Sequence, residues 1–407
     1  MDANQIMKFF DDTAYVRTGG SSEELKTARY LLNKIAQFGK EARLESFEVQ
    51  MSEMAEAELM FEGISVACEG YRNAGSGEVE APFYYLTGKD KYSLSQCRGK
   101  IVLVDGYLGY WTYQDLLENG AVGFITYSGN ANYADRDIDK RELRAHVHQG
   151  RKLLGVNINA KSAISLVKAR PKTAKIVLKQ REYTAQSHNV VLDLPGQTEK
   201  TIILSAHYDS VPLSVGTYDN MSGCVGLMAM AEYFAAHPTY HSLRFVWCGS
   251  EERGLLGSKA YCRDHDLSDV VLNINLDMIG SIMGKFICCA TAEDALWQYV
   301  NYLGCELGFG VTGRQGVYSS DSTPFADAGV PAMSLARDAA ENVATIHNRF
   351  DTIAVMSAEQ MMDDIAFIQT LVERMANAKV CPVSREIPEK MKEQLDYYLC
   401  RKREAGK

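Results

Sequence analysis

Three short apolar runs, Lys200–Ala206, Leu243–Cys248 and Val270–Leu276, each break off at a polar or acidic group. Continuous apolar runs of this length, without alternation, are the pattern of strands buried on both faces. Between and after them the period changes to that of helices, over Met221–Ala236, Leu255–His265, Glu293–Leu307 and Ser357–Ala378, with a further strand at Pro331–Leu335. Near the start, Ser21 and Glu24 match a capping box, apolar residues recur at Leu25, Ala28, Leu31, Leu32, Ile35 and Phe38, and Gly39 stops the helix. A strand over Leu44–Gln50 follows. The alternation of strand and helix predicts an α/β fold whose sheet is covered by helices on both faces.

From about Glu56 to Glu182 the character shifts to β-rich segments: Lys100–Asp105, Ala121–Tyr127, Leu153–Ile158 and Thr173–Leu178, with helices over Tyr113–Asn119 and Ala163–Ala169. A chain of 407 residues exceeds one ordinary core. We therefore read 56–182 as an inserted domain, and 1–55 with 183–407 as one discontinuous domain that resumes at His188–Asp193. The tail, Arg385–Lys407, is charged with a modest helical period, which leaves packing on the core and self-association both open.

Forty-three basic residues against 52 acidic ones give a net charge of −9, and no basic run stands in the body of the chain. Nucleic acid is thus not an expected partner. Met1-Asp-Ala-Asn lacks a basic segment followed by an apolar one, and no stretch reaches the roughly 18 apolar residues of a membrane span. Ten cysteines lie mostly within apolar segments such as Phe286–Ala290 and Val246–Gly249, with no Cys-x-x-Cys pair. They read as reduced thiols, and the expectation is a cytoplasmic protein with no membrane contact.

Chemistry gathers where the strands end. His207 and Asp209, two apart in extended chain, point the same way, so one imidazole nitrogen can bind a metal while the carboxylate fixes the ring. Asp219 stands in a polar loop before a helix, and its two oxygens can bridge two cations. Glu251 and Glu252 follow the second strand, Asp277 the third, and a late loop brings His347. Each piece has an ordinary alternative: a surface His–Asp pair, a solvated helix start, a turn at Asp219-Asn220. Their shared placement after successive buried strands favours a metal centre. Five ligands, with one carboxylate shared, give each of two zinc ions three protein contacts and leave room for a water. The remaining Glu is then free to move a proton.

With these residues in place the sequence resembles the co-catalytic dinuclear zinc aminopeptidases, in the superfamily that also holds glutamate carboxypeptidases and the transferrin receptor ectodomain. The likeness covers about Ser21–Gln50 and His188–Ala378. It implies a mixed, largely parallel sheet in an α/β/α sandwich and an exopeptidase that takes N-terminal residues from peptide substrates. By resemblance, His207 and Asp277 bind one zinc, Glu252 and His347 the other, and Asp219 bridges; Glu251 is the general base and Asp209 orients His207. Cobalt or manganese also suits such a site. A cis peptide is implied after Asp219. The loop Gly316–Phe325 resembles the family's Ser-Asp segment before Pro-Phe, which puts Tyr318 where a phenol stabilises the oxyanion, with a packing tyrosine as the alternative. Asp351 either supports His347 or caps the following helix. The insertion resembles a protease-associated domain through Gly99–Asp105 and Glu118–Ile125, and substrate gating or an oligomer interface are both open for it.

Three rivals remain. A carboxypeptidase or dipeptidase of the same fold needs a cation for the terminal carboxylate, and Arg314, Arg337 and Arg349 lie in suitable loops. Glutaminyl cyclase chemistry uses one zinc and fewer ligands. A receptor-like binding module would have lost ligands. His146, His148, His237, His241 and His265 fall outside the pattern.

Overall fold

The structure is a computed structural model that describes residues 1–105, 108–132, 138–340 and 343–404. The parts of the expected insertion at 106–107 and 133–137, and the tail's end at 405–407, lie outside the described residues. The chain forms two compact units, one of Met1–Val49 with Gln186–Lys407 and one of Gln50–Ala185. Both crossings fall inside long strands, Arg43–Phe61 and Thr173–Leu194. The strand expected at Thr173–Leu178 thus runs on through His188–Asp193, where the first domain was expected to resume, because the polar stretch between them stays extended.

In the first unit the strand order is Val311–Gln315, Lys285–Thr291, Ala332–Asp338, Val270–Leu276, Thr201–His207, Ser242–Cys248 and the end of Thr173–Leu194. The four strands from Ala332–Asp338 to Ser242–Cys248 run parallel, with antiparallel neighbours on either side. Alternate residues face opposite layers. Ile202, Leu204, Phe245, Trp247, Leu272 and Ile274 pack on the helices Ser22–Gln37, Ser222–Ala236 and Ala358–Asn377, whereas Ile203, Val246 and Val270 enter a second core with Tyr261 and Phe325. The sheet is therefore mixed, largely parallel and covered on both faces.

Two helix ends differ from expectation. Ser21 caps Ser22–Gln37 by accepting the Glu24 N–H at 3.1 Å, but Glu24 does not complete the box. Its buried carboxylate accepts instead from the Gly20 N–H at 2.6 Å, from Ser187 and from Ser250. The helix Ala3–Asp12 has a full box between Asp2 and Gln5, a signal the sequence carries.

The tail forms the helix Glu389–Tyr398, which buries Met391 and Leu395 in the second core, joined by Ile387 just before it. Of its two open readings, packing is the one observed. Met391 is 0% exposed, and Met391→Ala is expected to cost about 3 kcal/mol, read as a lower melting temperature with metal content unchanged. A melting temperature equal to the parent's would mean that the tail helix is not held on the core in solution.

The second unit carries the parallel strands Gly77–Leu86, Ile101–Val104, Gly123–Ser128 and Leu154–Asn159. Tyr71, Tyr113 and Phe124 centre its own core.

Candidate metal centre

His207, Asp277 and the Glu251-Glu252 pair sit at or just past the carboxyl ends of strands, the side on which open α/β sheets bind their ligands; Asp219 and His347 come from loops. His207 is the last residue of Thr201–His207 and pairs across the parallel ladder with Cys248. Asp277 follows Val270–Leu276 directly. Asp219 reaches them because the helix Ser222–Ala236 starts tight against the strand end. A Cβ on Gly223 would lie 2.4 Å from the Leu276 carbonyl oxygen, so only glycine permits the approach. Asn220 locks the junction: Nδ2 donates to the Leu276 carbonyl at 2.9 Å, and Oδ1 accepts from the N–H groups of Gly223 at 2.9 Å and Met278 at 3.0 Å. The Asp219-Asn220 peptide is cis.

The sequence candidates converge. His207 Nε2 lies 3.2 Å from Asp219 Oδ1 and 3.8 Å from Asp277 Oδ1. His347 Nε2 lies 3.1 Å from the other oxygen, Asp219 Oδ2, and 3.2 Å from Glu252 Oε2. Two donor groups result, His207 with Asp219 and Asp277, and Glu252 with Asp219 and His347, the donor atoms within each lying within 4.8 Å of one another. On its far side the His207 ring meets Asp209, Nδ1 to Oδ1 at 3.4 Å. Asp209 also accepts the Glu251 N–H at 2.9 Å and the Glu252 N–H at 3.2 Å, so one carboxylate ties the histidine to the acidic pair. Glu251 Oε2 is 3.9 Å from His207 Nε2.

The electrostatics are those of a buried acidic cluster around two imidazoles. Burial alone would lower the His207 pKa, yet Glu251, Asp209 and Asp219 hold it well above its ordinary value. Against the same burial effect, Glu252 and Asp219 push His347 up to about 11. Burial raises Asp277 to about 7 and Asp321 to about 6, and it raises Glu251 and Glu252 as well. Asp219 goes the other way: burial opposes, but hydrogen bonds from both histidines hold its pKa well below the usual carboxylate range. Asp277 Oδ1 is buried without a hydrogen-bond partner, and the donors are nitrogen and oxygen throughout, so the residues fit zinc.

Tyr318 lies in the loop between Val311–Gln315 and Ser322–Asp327. Burial first, then the negative charges of Asp277 and Asp219, raise its phenol pKa above the ordinary value, so the phenol stays protonated. Of the arginines, Arg337 is committed to the buried Asp364, with Nε at 2.9 Å from Oδ2, and Arg314 and Arg349 are exposed. Asp351 does not cap the following helix, whose N-cap is Thr352; its oxygens accept the N–H groups of Tyr218 at 2.7 Å and Asp219 at 3.0 Å.

Two positioning groups escaped the sequence reading. Arg17 is fully buried and donates to the Gly216 carbonyl at 2.7 Å and to those of Tyr208 and Val215, which fixes the loop between His207 and Asp219. Below the site, Ser205, Asn275 and Ser334 stand side by side on three adjacent strands. Ser205 Oγ donates to Asn275 Oδ1 at 2.9 Å, and Asn275 Nδ2 donates to Ser320 Oγ at 2.9 Å and Ser334 Oγ at 3.2 Å. No pattern in the sequence marks this ladder.

The mixed sheet and the loops above its strand ends thus gather two imidazoles and three carboxylates into donor groups that could hold metal ions. Residues 189–369 match the family described as Peptidase family M28. It is 25% identical over 335 residues to aminopeptidase YwaD of Bacillus subtilis (strain 168), covering 77% of this chain and 70% of that one. It is 29% identical over 220 residues to leupeptin-inactivating enzyme 1 of Streptomyces exfoliatus, about half (49%) of each chain. Among solved structures, an aminopeptidase from Aneurinibacillus sp. strain AM-1 superposes with a TM-score of 0.78 at 22% identity, covering 94% of this chain and 96% of that one. BSAP, a zinc aminopeptidase from Bacillus subtilis, gives 0.77 at 22% identity, covering 95% and 99%. These two likenesses show the fold. Among the described residues, no helix is long and apolar enough to cross a membrane.

Proposed function

We propose that this chain is a dinuclear zinc aminopeptidase that removes N-terminal residues from peptides. The observation that carries the reading is Asp219, whose two oxygens face two separate imidazoles at 3.2 and 3.1 Å, as a bridging carboxylate must. Zinc is the metal of the fold neighbour BSAP, and aminopeptidase is the printed activity of the relative YwaD. His207 and Asp277 would hold one ion, Glu252 and His347 the other, and Asp219 both. When bound, the ions supply Lewis acidity that acidifies water and polarises the scissile carbonyl.

The chain's own residues do the rest. Glu251 belongs to neither donor group, and its backbone is pinned by Asp209. Burial holds its pKa well above the ordinary carboxylate value; the attraction of His207 opposes this and the charge of Glu252 adds to it. Such a carboxylate takes a proton from the attacking water and returns it to the leaving amine. Asp209 keeps the His207 ring turned so that Nε2 faces the centre. Tyr318, protonated at all working pH values, donates to the oxygen that gains charge as the carbonyl is attacked.

The test is metal content together with hydrolysis of unblocked leucyl and acidic amino acid amides, before and after chelation. About two zinc equivalents per chain and loss of turnover on chelation are expected. Cleavage of an N-blocked dipeptide with none of a C-blocked one would assign the carboxypeptidase reading instead. No tightly bound metal would make the site a relic.

A further inference from the structure

The two halves of the centre are built differently. His207 and Asp277 stand at the ends of neighbouring parallel strands, 1% and 4% exposed, and their spacing is set by the sheet and by Asn220. His347 hangs on a loop with its side chain 48% exposed and its backbone at φ +62°. Beside the packing of Ala344 and Ile346 on the core, hydrogen bonds place it. Asn348 folds that loop on itself, its Oδ1 accepting from the Phe350 N–H at 2.9 Å and from Thr345 Oγ1 at 3.2 Å, its Nδ2 donating to the Ile346 carbonyl at 2.8 Å. The folded loop is then fastened through Asp351. Asp351, fully buried, takes the Tyr218 N–H on Oδ1 and the Asp219 N–H on Oδ2. The acid four residues past His347 thereby grips the backbone of the residue whose side chain faces His347.

We propose that Asp351 is the positioning residue of the second half-site. It sets His347 in register with Asp219, and its loss weakens the ion held by Glu252, His347 and Asp219 while sparing the one held by His207, Asp277 and Asp219. The inference rests on the dinuclear reading above. Asp351 touches neither ion nor substrate; it acts through the Tyr218 and Asp219 amides. Arg17 performs the matching task from the other side, holding the Gly216 carbonyl, so the segment that carries Asp219 is fixed at both ends.

The experiment is zinc titration of the metal-free full chain against a competing chelator, wild type beside Asp351→Asn. The asparagine keeps the shape and one acceptor but turns an NH2 group toward a backbone N–H. Two binding steps are expected for the wild type. In the variant the first step stays within about threefold and the second weakens about 10- to 100-fold, the usual effect of removing a group that orients a ligand. Anomalous diffraction at the zinc edge then shows lowered occupancy beside His347 alone. Equal weakening of both steps, or no change in either, overturns the assignment. A wild type that takes up one zinc or none overturns the dinuclear reading itself, a result distinguishable from the first. Leu371→Ala, in the helix Ala358–Asn377 and fully buried, controls for general destabilisation: it lowers the melting temperature and leaves the ratio of the two zinc affinities alone. Should Asp351→Asn not fold, Asp351→Glu keeps both acceptors, displaces them by one methylene and carries the same expectation.

Discussion

Glu251→Gln lowers kcat by about 10²- to 10⁴-fold while the chain keeps its full zinc content. Glutamine matches glutamate in shape, and the Glu251 N–H that binds Asp209 is a backbone group the substitution leaves in place. What is lost is the capacity to accept a proton at a point 3.9 Å from His207 Nε2. Because Glu251 is in neither donor group, metal content separates this effect from damage to the centre. Steady-state kinetics on a leucyl amide beside atomic absorption gives both numbers. Near-normal turnover would move the proton to another carboxyl, and the buried Asp321, whose charge raises the Glu251 pKa, is the neighbour to substitute next.

Asp219→Ala empties the centre, whereas Glu252→Ala removes one ion. Asp219 is the only residue common to both donor groups, so its truncation takes one ligand from each. Zinc content is expected to fall from about two equivalents to below one with Asp219→Ala, and to about one with Glu252→Ala. Stability reports the same difference. A ligand at 100 times its Kd adds about 2.7 kcal/mol to the folded state, so zinc raises the melting temperature of the parent and has almost no effect on Asp219→Ala. A variant that still binds two ions would show that the carboxylate does not bridge.

These outcomes rest on residues that were legible in the sequence for a physical reason. Metal donors come from few residue types, and a polar group that ends a buried apolar strand stands out against it. His207, Asp277 and the Glu251-Glu252 pair were found that way, and the order of strands and helices around them followed from periodicity. Arg17 was not legible, and Asp351 was named without its partner, because those partners are remote in the chain: Arg17 meets Gly216 across 199 residues, and Asp351 meets Tyr218 across 133. Glu24 misled for a related reason. Its spacing from Ser21 satisfies a local rule, but Ser250, 226 residues away, claims the carboxylate. The strands Lys285–Thr291 and Val311–Gln315 went unread because neither carries a marked local pattern: the first is a strand by pairing with Ala332–Asp338 and with Val311–Gln315, the second by pairing with the first.

The ladder of Ser205, Asn275 and Ser334 bears on how the sheet avoids misassembly. Parallel strands rich in valine, isoleucine and leucine present nearly the same apolar face after sliding by two residues, so hydrophobic burial discriminates poorly between the native alignment and a shifted one. A slip of Val270–Leu276 by two residues carries Asn275 away from the hydroxyls of Ser205, Ser320 and Ser334. It leaves a buried amide unsatisfied, at about 1–3 kcal/mol for each group stranded. The same slip would move Asp277 by about 6.6 Å, two strand residues, out of reach of His207. The amide thus acts as a proofreader: a misaligned strand that could not hold an ion is also one that does not persist.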